Sequence, residues 1–227
     1  MSEINVAVAG QPNSGKSTMF NLLTGARQFI ANYPGVTVEK KTGVLKIDED
    51  KCNLVDLPGT YSLSSYSLEE TVARDYLLSG QADLVLNIVD ASNLERSLNL
   101  TLQLLEIGLP VIVVLNMMDV AAKREMKINA EKLSEKLNSP VVKAVAKKGK
   151  GKAEIKDMIS EVYYNQEKYK RNIAKIIKYS PEMEANIEKI SNFFAEKKEF
   201  EDYKARWLAV RLLSGDEHVQ NLVKEVS

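Results

Sequence analysis

A stretch near the N-terminus, residues 10–17, carries the residue types that bind phosphate. Its sequence, GQPNSGKS, follows the pattern G-x-x-x-x-G-K-[ST] between an apolar run and a helical pattern. In such a loop, backbone N–H groups and the helix N-terminus bind phosphates, while the lysine reaches the β- and γ-phosphates and the serine hydroxyl ligates Mg²⁺. An ordinary glycine-rich turn is the alternative, which the flanking strand and helix disfavour. The predicted nucleotide contacts are Gly10, Asn13, Ser14, Gly15, Lys16, Ser17 and Thr18.

A second motif, DLPG at residues 56–59, follows a predicted strand. Asp56 would hold Mg²⁺ through water, and the Gly59 N–H would contact the γ-phosphate. The same tetrapeptide also occurs in ordinary turns. It indicates a nucleotide contact here because it follows the phosphate loop in the chain. Thr37 lies in the preceding loop and would complete the Mg²⁺ shell when a γ-phosphate is present; a threonine at a strand edge is the alternative.

A third motif, NMMD, ends the apolar run VIVVLN and indicates the base. Asp119 can accept hydrogen bonds from N1–H and the exocyclic amine of guanine, whereas adenine lacks those donors and would leave the carboxylate unpaired. The motif begins with Asn116, and Met117 replaces the commoner lysine, so we expect apolar packing over the base. The turn at Val145 and Ala146 would offer backbone N–H groups to guanine O6, although this motif is short.

The elements that position these motifs alternate between strands and helices. Strands are predicted at 4–9, 37–47, 52–56, 83–90, 111–116 and 141–146, and helices at 16–24, 67–78, 94–107, 128–137 and 154–170, with a loop at 27–36. This alternation predicts an α/β fold with a mostly parallel sheet covered on both faces, and the turn at residues 49–50 predicts one antiparallel strand. With the motifs above, the expected fold is that of a P-loop GTPase. Ligands bind at the carboxyl ends of such strands, which is where the motifs fall.

No strand pattern follows residue 146, and we predict a P-loop G domain over residues 1–165 and a small all-α domain over residues 166–227. Ser180 and Pro181 are typical of a helix start, with a capping residue followed by proline at the first helical position. An aromatic stripe that includes Trp207 indicates core packing against the first domain rather than a ligand site.

Composition excludes several classes of function. The 227 residues include 31 Lys+Arg and 31 Asp+Glu, so no net charge favours a nucleic-acid partner. One cysteine and one histidine cannot build a disulfide framework or a Cys/His metal cluster. The sequence shows no signal peptide and no apolar run long enough to span a membrane, so we expect a soluble fragment.

The segments GQPNSGKSTMFNLLTG, NYPGVTVEKKTG, NLVDLPGTYSLSSYSLEE and NMMD together resemble the cytosolic GTPase region of the ferrous iron transport protein B (FeoB) family. The tail KARWLAVRLLSGDE resembles the helical domain that follows it in that family. The resemblance implies a GTPase whose helical domain favours the GDP-bound state. It also implies a membrane permease for Fe²⁺ in the same full-length protein, with this region at the cytoplasmic face of the cell membrane.

The resemblance also bears on catalysis. Ras-like switches orient the attacking water with a glutamine after D-x-x-G, and here that position is Thr60. FeoB-like GTPases resemble potassium-activated GTPases, in which the P-loop asparagine helps to bind K⁺; Asn13 matches that position. The predicted catalytic residues are Asn13, Lys16, Thr37 and Gly59, with Mg²⁺ and K⁺ as cofactors. Glu69 and Glu70 could position water, but the spacing of Glu70 from Ser67 favours a helix capping box.

Two alternatives to the transport-linked GTPase stay open on the sequence. An RNA-associated GTPase of the Era or tRNA-modification kind shares the G-x-P-N-x-G-K-S loop, but would predict an RNA-binding module that the tail does not show. A GTP-dependent interaction module with negligible turnover would be compatible with the missing glutamine. Oligomeric state and Fe²⁺ binding are not predicted.

Overall fold

The structure, a computed structural model, describes residues 2–25, 28–64, 67–169, 177–200 and 203–226. Its strands form one seven-stranded sheet in the order β2-β3-β4-β1-β5-β6-β7. They are β1 (Glu3–Gly10), β2 (Gln28–Asn32), β3 (Glu39–Ile47), β4 (Asp50–Asp56), β5 (Leu84–Asp90), β6 (Val111–Asn116) and β7 (Val141–Lys143). β3 is antiparallel to both of its neighbours and the other pairings are parallel. The predicted α/β sheet with one reversed strand is confirmed.

Helices cover both faces of this sheet and continue beyond it. They are α1 (Lys16–Thr24), α2 (Leu68–Leu78), α3 (Leu94–Ile107), α4 (Met118–Lys123), α5 (Ala130–Leu137), α6 (Lys152–Tyr164), α7 (Gln166–Tyr169), α8 (Pro181–Ala195), α9 (Ala205–Leu213) and α10 (Glu217–Val226). Along β1, Val6 and Val8 pack in a cluster with α1 and α6, whereas Ala7 and Ala9 pack in a cluster with α2 and α3. Burial on both faces explains why the central strands are continuously apolar in sequence.

The structure corrects several predicted element boundaries in the first half of the chain. Residues 28–32, predicted as loop, form edge strand β2, which pairs with β3 while most of its side chains are exposed. A strand without a buried face leaves no alternating pattern in the sequence. β3 begins at Glu39 rather than at residue 37, because residues 33–38 turn back on themselves.

Later boundaries also differ from the prediction. β7 ends at Lys143, and residues 146–148 form a 3₁₀ turn instead of continuing the strand. α4 was not predicted, since six residues are too few to show a helical period. The helix predicted at 154–170 is divided at Asn165, which ends α6, and residue 170 lies outside the described residues.

The C-terminal helices are anchored on α3. Trp207 and Leu208 of α9 are buried in the same apolar cluster as Leu100 and Leu104 of α3, so the prediction that Trp207 packs in the core is confirmed. The side chain of Lys204 lies over Gly108, directly after α3. These contacts fix the helical segment against the sheet domain.

A buried polar cluster reinforces this interface. Glu106, at the end of α3, accepts a hydrogen bond from the Tyr179 hydroxyl at 2.6 Å and pairs with Arg211 of α9 at 3.3 Å. The Glu106 and Arg211 side chains are only 7% and 10% exposed. A buried ion pair contributes little net stability, but removing one partner leaves the other charge unpaired in a dry environment.

The turn between β1 and α1 docks on the end of β6. Gly15 has a left-handed φ of 81°, and a Cβ there would lie 2.3 Å from Nδ2 of Asn116. That amide donates to the carbonyl of Ser14 at 2.9 Å. Only glycine combines this backbone angle with so close an approach.

Glu106→Ala should destabilise the chain by about 3 kcal/mol, because Arg211 then keeps a buried charge without a partner. Chemical denaturation of the 227-residue chain measures the effect. Glu3→Ala is the matched control, since its pair with Lys51 is more than half exposed and should contribute little. Equal unfolding midpoints for the two variants would contradict the assignment of a buried pair.

Gly15→Ala should destabilise the nucleotide-free chain more than Gly80→Ala. Both glycines have positive φ, but a Cβ at Gly80 meets nothing within 4 Å, so that control isolates the backbone cost of about 1 kcal/mol. At Gly15 the Asn116 amide must also move, which costs about 1 kcal/mol for each hydrogen bond lost. The two free energies of unfolding, measured in denaturant, should therefore differ, and equal values would refute the steric argument.

Candidate nucleotide-binding site

The motif residues meet at one edge of the sheet. Gly10, Asp56 and Asn116 are the last residues of β1, β4 and β6, which are parallel strands. Parallel strands place their carboxyl ends together, where open α/β sheets bind ligands. The sheet therefore brings the phosphate-loop, DLPG and NMMD motifs to the same place.

The phosphate loop has the backbone form of an anion-binding nest. Asn13 and Gly15 both have positive φ, 65° and 81°, and the Ser14 N–H donates back to the Gln11 carbonyl at 3.2 Å. The hydroxyl of Ser14 is buried and has no hydrogen-bond partner among the described residues. A buried unpartnered donor inside a nest of N–H groups suits an anionic ligand.

Lys16 and Asp56 form an ion pair at this edge. Their Nζ and Oδ1 atoms lie 2.5 Å apart, and the side chains are 10% and 11% exposed. Burial raises the pKa of the Asp56 carboxyl, and the Lys16 ammonium opposes that shift in part. The pair thus places an ammonium group that can bind phosphate next to a carboxylate that can bind a metal ion. Ser17 is exposed in the first turn of α1.

These oxygen groups suit Mg²⁺, which prefers carboxylate and hydroxyl ligands and keeps several waters. Within the described residues, no three His, Cys, Asp or Glu side chains cluster to hold a metal by themselves. A Mg²⁺ ion here would therefore depend on phosphate oxygens for the remaining ligands, as Mg²⁺ sites at nucleotides commonly do.

The DLPG segment lies against the phosphate loop. A Cβ on Gly59 would be 3.6 Å from the Cα of Pro12, which is ordinary van der Waals distance. The Leu57 N–H donates to the Val8 carbonyl at 3.0 Å and fixes the start of the segment. Thr60 is buried, so the residue at the usual glutamine position does not extend into solvent.

Thr37, the third residue predicted for Mg²⁺, precedes β3. It is exposed in a bend, and none of the described hydrogen bonds or ion pairs joins it to Lys16 or Asp56. The bend is closed by the Tyr33 N–H, which donates to the Val38 carbonyl at 2.9 Å. The Tyr33 ring is buried edge-on against Tyr76 of α2. The sequence carries no signal for this long-range contact, and it was not predicted.

Asn116 connects the phosphate loop to the predicted base loop. Its Nδ2 donates to the Ser14 carbonyl at 2.9 Å, and its Oδ1 accepts from the Ala146 N–H at 3.0 Å. The Val145 N–H donates to the Lys150 carbonyl. In this structure, therefore, both N–H groups predicted for guanine O6 already have acceptors within the chain. Met117 follows with φ of 60° and approaches Gly15.

Asp119 has partners for both carboxylate oxygens. Oδ1 accepts from the N–H of Val120 at 3.1 Å, and Oδ2 lies 3.0 Å from Nζ of Lys148. Hydrogen bonding to Lys148 is the main reason that the pKa of Asp119 lies below its ordinary value. The carboxylate is thus kept ionised, as an acceptor for guanine must be. Lys148 was not predicted, because it lies two residues beyond the short base-loop motif.

Glu70 fulfils the predicted cap in part. The Glu70 N–H donates to the Ser67 hydroxyl at 3.1 Å at the start of α2. In a full capping box the Glu70 carboxylate would accept from the Ser67 N–H. Here it accepts hydrogen bonds from the hydroxyls of Ser62 and Ser64 at 2.8 and 2.6 Å. Glu70 therefore holds the segment after DLPG to α2, a role that the capping pattern did not predict.

Comparison with known proteins places the chain in a family. Residues 4–159 match the family model of ferrous iron transport protein B, and residues 179–227 match that of the FeoB cytosolic helical domain. The Fe(2+) transporter FeoB of Salmonella typhimurium is 43% identical over 220 residues, which cover 95% of this chain and 28% of the transporter. The chain thus spans less than a third of the length of this curated relative.

Solved structures agree with this match. The cytosolic domain of the T. maritima FeoB iron transporter in GDP form II superposes with a TM-score of 0.92 at 42% identity, covering 98% of this chain and 86% of that one. The GMPPNP form of the same domain gives 0.90 at 43% identity, covering 97% and 85%. No helix in the described part of this chain has the length and apolar character needed to cross a membrane. The chain belongs to the ferrous iron transport protein B family and comprises its G domain and its cytosolic helical domain.

Proposed function

We propose that this chain binds GTP and GDP and hydrolyses GTP slowly. The observation that carries the proposal is the link through Asn116, which joins the phosphate loop to the loop beside Asp119, so one ligand can contact both. A ligand that fits both loops carries phosphates at one end and a pair of N–H donors at the other. A guanine nucleotide has both features. The GDP and GMPPNP forms of the T. maritima domain support the same ligand class.

The residues divide between the two ends of the nucleotide. Backbone N–H groups of the phosphate loop and the Ser14 hydroxyl would donate to phosphate oxygens, and Lys16 would exchange its contact with Asp56 for a β,γ-phosphate contact. Gly59 would donate its N–H to the γ-phosphate, while Val145, Ala146 and Met117 would line the base. The proposed phosphate and base contacts are Gly10, Asn13, Ser14, Gly15, Lys16, Ser17, Thr18, Asp56, Gly59, Asn116, Met117, Asp119, Val145 and Ala146.

Mg²⁺ would be held by the Ser17 hydroxyl and, through water, by Asp56, where it offsets phosphate charge. Thr37, which is exposed in the bend at residues 33–38, would complete the Mg²⁺ shell when a γ-phosphate is present. A hydroxyl on this loop that responds to the γ-phosphate would make the loop a switch.

Catalysis would depend on charge at the phosphates. Thr60 is buried and has no amide to orient water, so the chain lacks the group that Ras-like switches use. The exposed Asn13, at the tip of the nest, would hold K⁺, whose charge offsets the negative charge between the β- and γ-phosphates. Lys16 would act on the same oxygens.

We also propose that the G domain extends over residues 1–165 and the helical domain over residues 166–227. In the relatives the matched region is a small part of a transporter, which supports a membrane permease part for Fe²⁺ beyond this region and a position at the cytoplasmic face of the membrane. The helical domain would favour the GDP-bound state through its interface with α3. The family match over residues 179–227 leaves no specific observation in favour of the RNA-associated alternative.

Hydrolysis of GTP should be faster in K⁺ than in Na⁺, and Asn13→Ala should remove the difference. The substitution takes away the side-chain oxygen that would ligate K⁺, and Asn13→Gly, which removes the same oxygen but permits the φ of 65°, controls for strain in the nest. Phosphate release is measured at equal ionic strength in the two salts. Equal rates for the unmodified chain, or an undiminished K⁺ effect in the variant, would contradict the role of Asn13.

Asp119→Asn should weaken GTP binding at least about tenfold and improve binding of xanthosine triphosphate relative to GTP. The amide can donate to the C2 carbonyl of xanthine, whereas it cannot accept both guanine donors. Competition with a fluorescent nucleotide gives the two affinities. An unchanged affinity ratio would refute the guanine assignment.

A further inference from the structure

The carboxylate that would identify guanine is already paired. Oδ2 of Asp119 lies 3.0 Å from Nζ of Lys148, and Oδ1 accepts from the Val120 N–H. Guanine presents two adjacent donors and needs both oxygens of the carboxylate. Each carboxylate oxygen has two acceptor positions, and Lys148 already occupies one of those on Oδ2, so the base and the lysine would compete for that oxygen.

The loop that carries Lys148 is closely held. The Lys148 N–H donates to the Val145 carbonyl at 2.9 Å, and Gly149 closes the 3₁₀ turn with φ of 67°. A Cβ on Gly151 would lie 2.8 Å from Cβ of Ala144, so the loop packs directly on the end of β7. The backbone of Lys148 is thereby fixed next to Asp119.

The two partners differ in exposure. The Lys148 side chain is 57% exposed, whereas that of Asp119 is 31% exposed. The ammonium can therefore move into water at little cost, while the carboxylate stays in the site. An exposed ion pair of this kind is weak, so its competition with a ligand is modest rather than blocking.

We propose that Lys148 is a specificity-determining residue that competes with guanine for Asp119 and tunes both the affinity and the selectivity of the site. The proposal rests on the proposed function, since it assumes that Asp119 binds the base. A guanine donor that takes the acceptor position held by the Lys148 ammonium displaces it, so Lys148 weakens binding of a guanine nucleotide. For xanthine, whose C2 carbonyl faces the carboxylate, Lys148 neutralises the repulsion between the two, so it assists binding.

Lys148→Met should therefore tighten GDP binding about threefold and weaken binding of xanthosine diphosphate. A change that merely altered the folding of the loop would move both affinities in the same direction. Lys148→Arg keeps the charge and should restore values close to those of the unmodified chain. Lys143→Met, an exposed lysine at the end of β7, controls for the general loss of positive charge near an anionic ligand.

The measurement is titration calorimetry of the 227-residue chain and its variants with GDP and with xanthosine diphosphate in the presence of Mg²⁺. Opposite shifts for the two nucleotides in Lys148→Met alone support the proposal. If the unmodified chain binds GDP but Lys148→Met leaves its affinity unchanged or weaker, Lys148 does not compete with guanine. If the unmodified chain binds no GDP, the proposed function itself fails.

Discussion

The site depends on one buried amide. Asn116 uses both ends of its side chain, donating to the Ser14 carbonyl and accepting from the Ala146 N–H, and it is only 3% exposed. These two hydrogen bonds tie the loop after β1 and the loop after β7 to the end of β6. Gly15 permits this by leaving room for the amide. The phosphate loop is also held to α3, where Gln11 Nε2 donates to the Arg96 carbonyl, but Asn116 is the residue whose side chain joins the phosphate loop directly to the loop after β7.

A second constraint is the position of α3 between the sheet and the C-terminal helices. The helix packs on the sheet through Leu100 and Leu104, and at its end Glu106 pairs with Arg211 in the helical segment. A buried ion pair is tolerant of very little displacement, since separation leaves two desolvated charges. Any movement of α3 relative to the sheet would therefore be transmitted to α9. The Glu106–Arg211 contact is the route by which the proposed helical domain would respond to the nucleotide site.

The sequence predicted the parts that short-range chemistry determines. The G-x-x-x-x-G-K-S loop, the central strands and the Ser67 cap follow from local patterns, and the structure contains each of them. Contacts between distant segments were not predictable: Tyr33 anchors its bend against Tyr76, and Lys148 reaches Asp119 from another loop. β2 was missed because an edge strand with exposed side chains carries no burial signal.

The pairing of Lys16 with Asp56 explains why a phosphate and a divalent cation would enter this site together. Burial raises the pKa of Asp56, and Lys16 is the neighbour that most strongly favours its ionised form. A phosphate that takes Lys16 alone would leave this buried carboxylate facing more negative charge, which is costly at low local dielectric. A cation that takes Asp56 alone would leave Lys16 without its partner. Only a ligand that brings both charges exchanges one ion pair for two, which is what a nucleotide with its Mg²⁺ provides.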